Sequence, residues 1–214
     1  MTRTMQRTTR RTMTQRSSAL RPDLAAIAEW IAPGSSVLDL GCGDGSLLAW
    51  LQSQKRCRCV GVEIDDAKVL ACANNGVEVI QQNLEDGLAL FSDRSFDTVV
   101  QLETLQMVTH TQGMLRELGR VGGESIVTFP NFAFWSHRIS IVSGRMPVTR
   151  SLPYQWYDTP NLRFATFTDF RELAQKSGFA LRDQFALRDG RVVRFLPNLF
   201  GRVAVFRLAR GSKP

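Results

Sequence analysis

The chain has 214 residues, of which 43% are apolar, 22% charged and 9% aromatic, with a net charge of +7. That length and its supply of Val, Ile, Leu and Phe fit one domain with a full core and exclude a mostly disordered polypeptide. No stretch approaches the ~18 consecutive apolar residues of a membrane span, so neither a spanning helix nor a membrane partner is expected.

The positive charge is concentrated at one end. Residues 1–19 hold Arg3, Arg7, Arg10, Arg11 and Arg16 and no acid, and the remainder carries 22 basic against 20 acidic residues. This Thr/Arg/Ser-rich stretch has no apolar run and no secretory h-region. Its composition is that of a mitochondrial transit peptide without an amphipathic face. It reads as a disordered basic tail, or as an upstream start with Met13 as the rival, ahead of a nucleic-acid-binding arm. A body charge of +2 argues against a nucleic-acid partner.

Cys42, Cys57, Cys59 and Cys72 lack the spacing of a disulfide framework or a zinc site, and His110 and His137 are distant in sequence. They read as structural thiols in a reducing cytoplasm, with no metal site.

In chain order, Val37–Leu40 is a buried strand running into a glycine cluster, followed by a helix over 46–54. Cys59–Glu63 is a second strand, and Asp65 or Asp66 caps a helix reaching about Asn75. Val77–Gln81 and Phe96–Gln101 are the third and fourth strands. A helix over about 112–120 stops at Gly122-Gly123, and Ser125–Phe129 is the fifth strand, ended by Pro130. Thr168 caps a helix over 169–177, and Phe179–Phe185 and Val203–Leu208 form an antiparallel hairpin at one edge. Alternation of this kind gives an α/β fold with a mostly parallel sheet covered on both faces. The organisation expected is a tail over 1–19 and a single domain over 20–210.

Residues 131–167 break the alternation. They hold both tyrosines, Trp135, Trp156, four phenylalanines and three prolines. So long a loop inside a compact domain needs a function, as a lid, a substrate wall or a partner surface.

The chemistry concentrates in Val37-Leu38-Asp39-Leu40-Gly41-Cys42-Gly43-Asp44-Gly45-Ser46. A strand ends in alternating glycines and opens a helix, a ligand site at the carboxyl end of the first strand. The spacing departs from the dinucleotide fingerprint at Ser46, and no Gly-Lys-Ser/Thr run marks a P-loop. Asp39 and Asp44 would repel a pyrophosphate by several kcal/mol (roughly, for ~4 Å at an effective dielectric near 20). Glu63, at the end of the second strand, is placed to accept ribose hydroxyls. Asn83, after the third, is placed to meet an adenine amino group. Adenosine with a cationic, phosphate-free tail describes S-adenosylmethionine; a ligand-free turn and a dinucleotide site are the competing readings.

Asp39-x-Gly41-x-Gly43-x-Gly45 resembles motif I of class I methyltransferases. Together with Gly61-Val62-Glu63-Ile64-Asp65, Phe129-Pro130-Asn131-Phe132, Gly144–Thr149 and Leu152–Asn161, it resembles the MetW family of methionine biosynthesis proteins from about Leu20 to Leu208. The resemblance implies a Rossmann-like fold with a seven-stranded sheet whose last strand is inserted antiparallel. It also implies a site for S-adenosylmethionine or S-adenosylhomocysteine built from Asp39, Gly41, Cys42, Gly43, Gly45, Glu63, Ile64, Asn83, Leu84 and Gln101. The family usually has Asp where this chain has Asn83, and a pattern close to Leu-Ser-Gln-Thr-Leu-Gln where it has Gln101-Leu102-Glu103-Thr104-Leu105-Gln106, so that Glu103 adds a carboxylate facing a cationic cofactor or points to solvent.

The family resemblance further implies a partner, homoserine O-acyltransferase. The chain is then its activating or regulatory companion, with Asn131, Tyr154, Trp156 and Tyr157 on the substrate or partner surface. An active small-molecule methyltransferase is the alternative. No dedicated base stands out, since His110 and His137 read as structural, so no catalytic residue is assigned.

Overall fold

The computed structural model describes residues 20–211, so the basic tail lies outside the described residues. The elements are α1 (Pro22–Ala28), β1 (Ser36–Leu40), α2 (Ser46–Lys55), β2 (Arg58–Glu63), α3 (Asp66–Asn74), β3 (Glu78–Gln81), β4 (Phe96–Leu102) and α4 (Thr111–Val121). They continue with β5 (Gly122–Pro130), α5 (Trp135–Val142), α6 (Phe167–Lys176), β6 (Phe179–Arg188), β7 (Arg191–Val193), α7 (Pro197–Phe200) and β8 (Val203–Arg210).

One sheet runs in the order β3-β2-β1-β4-β5-β8-β6-β7. The first five strands are parallel, and β8 lies antiparallel between β5 and β6. This is a Rossmann-like methyltransferase architecture with eight strands where seven were expected. The extra one is β7, three residues folded back on the end of β6 through the Asp189-Gly190 turn. The terminal pair is antiparallel as read, but β8 is interior and β6–β7 forms the edge.

The sheet alternates its side chains between two cores. Leu38, Leu40, Val99, Val127, Phe129 and Phe206 pack against Leu115 and Leu118 of α4 and Phe170 of α6. Val37, Val100, Ile126 and Val205 pack on the opposite face against α1 and α2. The central strands are buried on both sides, which is why they read as unbroken apolar runs. In α4 the stripe Met114, Leu115, Leu118 and Val121 recurs at helical spacing and is buried along its length.

Local signals place most boundaries. Asp65 caps α3 by accepting from the Lys68 N–H at 3.0 Å. The cap of α6 is Thr166, whose hydroxyl oxygen accepts from the Asp169 N–H at 3.1 Å, so that helix begins two residues before the position read from Thr168. Gly122 and Gly123 end α4 but are already the first residues of β5.

Residues 131–167 are organised by α5 and by Asn131. That asparagine is fully buried. Its Nδ2 donates to the carbonyls of Asn198 and Gly201 at 3.0 and 2.9 Å, and its Oδ1 accepts from Ala133 and Phe167 N–H groups at 3.2 Å each. One amide therefore joins the end of β5, the entry to α5, the start of α6 and the α7 turn. It presents no surface to a partner or substrate, contrary to the sequence reading.

Asn131→Ala would leave those buried carbonyl and N–H groups without their partner. A loss of about 2–4 kcal/mol is expected from urea unfolding, at the price of several 1–3 kcal/mol penalties partly relieved by relaxation. A loss below ~0.5 kcal/mol would show that the amide does not hold the segment.

Candidate functional site

The glycine turn after β1 is fastened from inside. Gly41 and Cys42 N–H groups donate to the Val62 carbonyl at 2.8 and 3.1 Å, and Gly45 N–H to the Cys42 carbonyl at 3.0 Å. Gly43 N–H donates to Glu63 Oε2 at 2.9 Å, and Ser46 N–H to Asp44 Oδ1 at 3.0 Å. Gly41 has φ +81, and a Cβ there would stand 2.5 Å from Thr104 Oγ1. Gly45 has φ +73, and its Cβ would meet the Cys72 thiol at 2.9 Å. Two sides of the turn thus lie against other elements with no room for a side chain.

Glu63 is 6% exposed. Besides Gly43, it accepts through Oε1 from Ile64 and Asp65 N–H groups at 2.9 and 3.1 Å. Asp39, 4% exposed, has an Oδ1 without a hydrogen-bond partner. Burial, reinforced by the charge of Glu63, pushes its carboxyl up to about 7. Cys42 turns its thiol to Cys72, 3.6 Å away, and burial together with the charge of Asp39 raises it, keeping it protonated.

A cleft of about 450 Å3 opens beside this turn. Of the expected residues it brings together Gly41, Glu63, Ile64, Asn83 and Leu84. Asn83 Oδ1 accepts from Glu85 N–H at 3.0 Å, capping a short 3-10 turn and leaving a second lone pair on that oxygen. Asp39, Cys42, Gly43 and Gly45 lie outside the lining, behind or along the turn. Gln101 is also outside it. Its side chain is fully buried and neither amide atom has a partner, so the structure places it in the core instead of the cleft.

The opposite wall is Leu102, Glu103, Thr104, Met107 and Val108, of which the sequence pointed only to Glu103. Glu103 departs from the family pattern, which was its only signal. It has φ +49, and its N–H donates to both the Thr128 carbonyl and Thr128 Oγ1 at 3.0 Å. Packing around its carboxyl raises the pKa, partly offset by Arg21. Solvent still reaches the side chain at the mouth of the cleft.

The lining carries the carboxylates of Glu63, Asp65, Glu85 and Glu103 against the single ammonium of Lys68. The turn's N–H groups at 41, 42, 43, 45 and 46 are all donated within the protein. A phosphate would therefore meet carboxylates and find those five amides already committed. The arrangement suits a neutral or cationic ligand with an apolar portion against Ile64, Leu84 and Met107.

The remaining surface residues lie apart. Trp156 and Tyr157 are each 71% exposed and meet edge to face at 5.6 Å, with Tyr154 exposed beside them. His137 is buried, bonded through Nε2 to Thr149 Oγ1 at 2.8 Å, and burial lowers its pKa. Among the described residues no group of three or more His, Cys, Asp or Glu side chains could hold a metal ion, and no helix is long and apolar enough to cross a membrane.

Comparison with known proteins agrees with this architecture. A methyltransferase from Thermotoga maritima described as S-adenosylmethionine-dependent superposes with a TM-score of 0.65 at 21% identity, covering 88% of each chain. A TehB-like S-adenosylmethionine-dependent methyltransferase from Corynebacterium glutamicum gives 0.63 at 15% identity, covering 91% of this chain and 90% of that one. The [4+2]-cyclase SpnF gives 0.64 at 16% identity, over 89% and 81%. In sequence, the chain is 42% identical over 164 residues to the bifunctional methionine biosynthesis protein MetXA/MetW of Rhodopirellula baltica. That match covers 72% of this chain but only 26% of the relative's length. The family model described as methionine biosynthesis protein MetW matches residues 21–208, nearly the whole of the fold described above, and the chain belongs to that family.

Proposed function

We propose that the chain binds S-adenosylmethionine or S-adenosylhomocysteine in the cleft and acts in the cytoplasm as an activating or regulatory partner of homoserine O-acyltransferase. The turn, with its N–H groups at 41, 42, 43, 45 and 46 spent internally and facing an acid-lined cleft, supports the cofactor half. Glu63 Oε2, which accepts from one backbone N–H, keeps a lone pair for a ribose hydroxyl. Ile64 and Leu84 flank the adenine, Asn83 Oδ1 accepts from its amino group, and Asp39 supplies negative charge toward the methionine end. The glycine backbone at 41, 43 and 45 lets the ligand approach closely.

The observation that carries the partner half is the relative whose single chain is named for both MetXA and MetW. A fusion holds two modules at high effective concentration, and separate chains need a surface to achieve the same. Such a surface is available here: Val142, Met146, Val148, Tyr154, Trp156 and Tyr157 are all exposed apolar or aromatic groups of one segment. Aromatic side chains of this kind dominate binding energy at interfaces.

One observation favours the second reading, an active small-molecule methyltransferase. Glu103 places a carboxyl of raised pKa at the mouth of the cleft, where an acceptor's proton would leave. The fold itself does not decide between them, because a cyclase shares it.

Assay of the same organism's homoserine O-acyltransferase, with and without this chain, tests the first reading. A gain in activity with co-elution on a sizing column is the expected result. Replacing both Trp156 and Tyr157 by Ala should weaken the complex at least ~10-fold without unfolding the exposed segment. No complex and no gain, with S-adenosylhomocysteine released from an acceptor, would put the methyltransferase reading first.

The cofactor half has a pH signature. Asp39 titrates near 3.8 when unfolded and about 7 when folded, so the folded chain binds the extra proton between those values. Stability from that group is full below about 3.8 and is lost as pH rises through 7. A cation bound nearby favours the ionised carboxyl, so affinity for S-adenosylmethionine should rise across that same upper limit. Asp39→Asn should abolish this rise and make the ligand-free protein relatively more stable at alkaline pH. Titrations and thermal melts at ~6 and ~8 check both; parallel pH profiles for the two proteins would remove Asp39 from the site.

A further inference from the structure

A second cavity, of about 570 Å3, opens beside the cofactor cleft, and Glu103 lines both. Its walls come from Arg21 and Asp23 at the start of α1, from Arg150 and Ser151 between α5 and α6, from Asp189 in the β6–β7 turn and from Arg202 before β8. Neither the cofactor reading nor the aromatic partner surface uses it.

Its charges are arranged in two parts. Arg21 is committed to Asp23, with Nη2 and Nε at 2.7 and 3.2 Å from the two carboxylate oxygens. Arg150, Arg188 and Arg202 converge on the one carboxylate of Asp189 at 3.9, 3.8 and 3.9 Å. None of the three is at hydrogen-bonding distance, and three guanidiniums around one carboxylate leave an excess of two positive charges. Arg202 Nε is buried without a hydrogen-bond partner. A buried donor left in that state is costly unless something else satisfies it.

Arg202 and Arg188 are also preorganised. The buried ring of Phe134 carries the guanidinium carbons of Arg202 and Arg188 at 5.1 and 5.8 Å. Glu103 contributes the separate negative group, fixed by its backbone bonds to Thr128. The lining as a whole is charge-balanced, with Arg21, Arg150 and Arg202 against Asp23, Glu103 and Asp189. A dianion would be repelled by those carboxylates, whereas a ligand bearing both charges suits each part.

We propose that this cavity binds a small zwitterionic amino acid, its carboxylate held by Arg150 and Arg202 and its ammonium by Glu103. The planar guanidinium fork matches a carboxylate in a way a lysine would not. Beside the cofactor cleft, such a molecule is an acceptor if the chain transfers a methyl group and an effector if it does not. The site stands independently of whether a cofactor or an acyltransferase binds.

Isothermal titration of the full chain with L-homoserine, L-methionine, their methyl esters and inorganic phosphate tests it. Saturable binding of at least one of the two amino acids is expected, with its ester, lacking the anionic oxygen, bound at least ~10-fold more weakly. Arg150→Ala should weaken the amino acid by a similar factor. That side chain is 82% exposed, so the fold is not at risk, and S-adenosylhomocysteine binding by the variant should be unchanged. Glu103→Gln should weaken the amino acid and not a plain monocarboxylate such as butyrate. The proposal is overturned if neither amino acid binds, if the ester binds as tightly as the acid, if phosphate alone binds, or if Arg150→Ala binds as the parent does. A failed acyltransferase assay alongside a positive titration would sink the proposed function and leave this site standing.

Discussion

The arrangement of the candidate site depends on the carboxylate of Glu63. Buried at the end of β2, it accepts from three backbone N–H groups, one of them Gly43 across the strand gap. A charge so deeply placed is tolerable only when hydrogen-bonded, and these bonds close the glycine turn against β2. Their consequence is chemical as well as structural. Five amides of the turn are committed to internal acceptors, and the cleft keeps an electronegative rim. The same backbone pattern that elsewhere holds a pyrophosphate is thereby converted to one for uncharged or positive groups.

The second constraint is the unbonded Asp39 carboxyl. Burial, the charge of Glu63 and an Oδ1 without a partner leave its ionised form poorly supported. An aspartate in that position costs stability, and Asn or an apolar residue would serve the core better. Such local conflicts between side chain and surroundings concentrate at functional sites.

The sequence disclosed those parts of the molecule that are governed by near neighbours. The glycine turn, the Asp65 cap and the buried strand runs each depend on residues within a few positions, and they fall where the sequence places them. The α6 cap was legible too, because Thr166 and Asp169 stand three apart, but the nearer-looking Thr168 obscured it. Asn131 was not legible: its partners lie up to 70 positions away, and a polar residue after Pro130 has the local appearance of an exposed turn. Gln101 was assigned by analogy of position, whereas the alternation of β4 turns its side chain into the core. Glu103 and the far wall of the cleft lie after β4, where no periodic signal separates a wall from a loop. The three-residue β7 is too short to generate one.

The segment between β5 and α6 links the two halves of the proposed function. Arg150 and Trp156 lie six residues apart on it: one faces the arginine-lined cavity and the other stands in solvent among the exposed aromatics. His137 ties the segment to α5 through Thr149, the residue next to Arg150. A partner seated on Trp156 and Tyr157 would order the same stretch of chain that supplies Arg150. Any energy this contributes to a ligand in the cavity must return, by linkage, as tighter binding of the partner when the ligand is present. The cleft beside the glycine turn enters the same relation through Glu103, shared by both cavities. A methyltransferase fold placed beside an acyltransferase needs no methyl transfer to influence it. It needs only that the occupied and empty forms of this one segment present different faces to the partner.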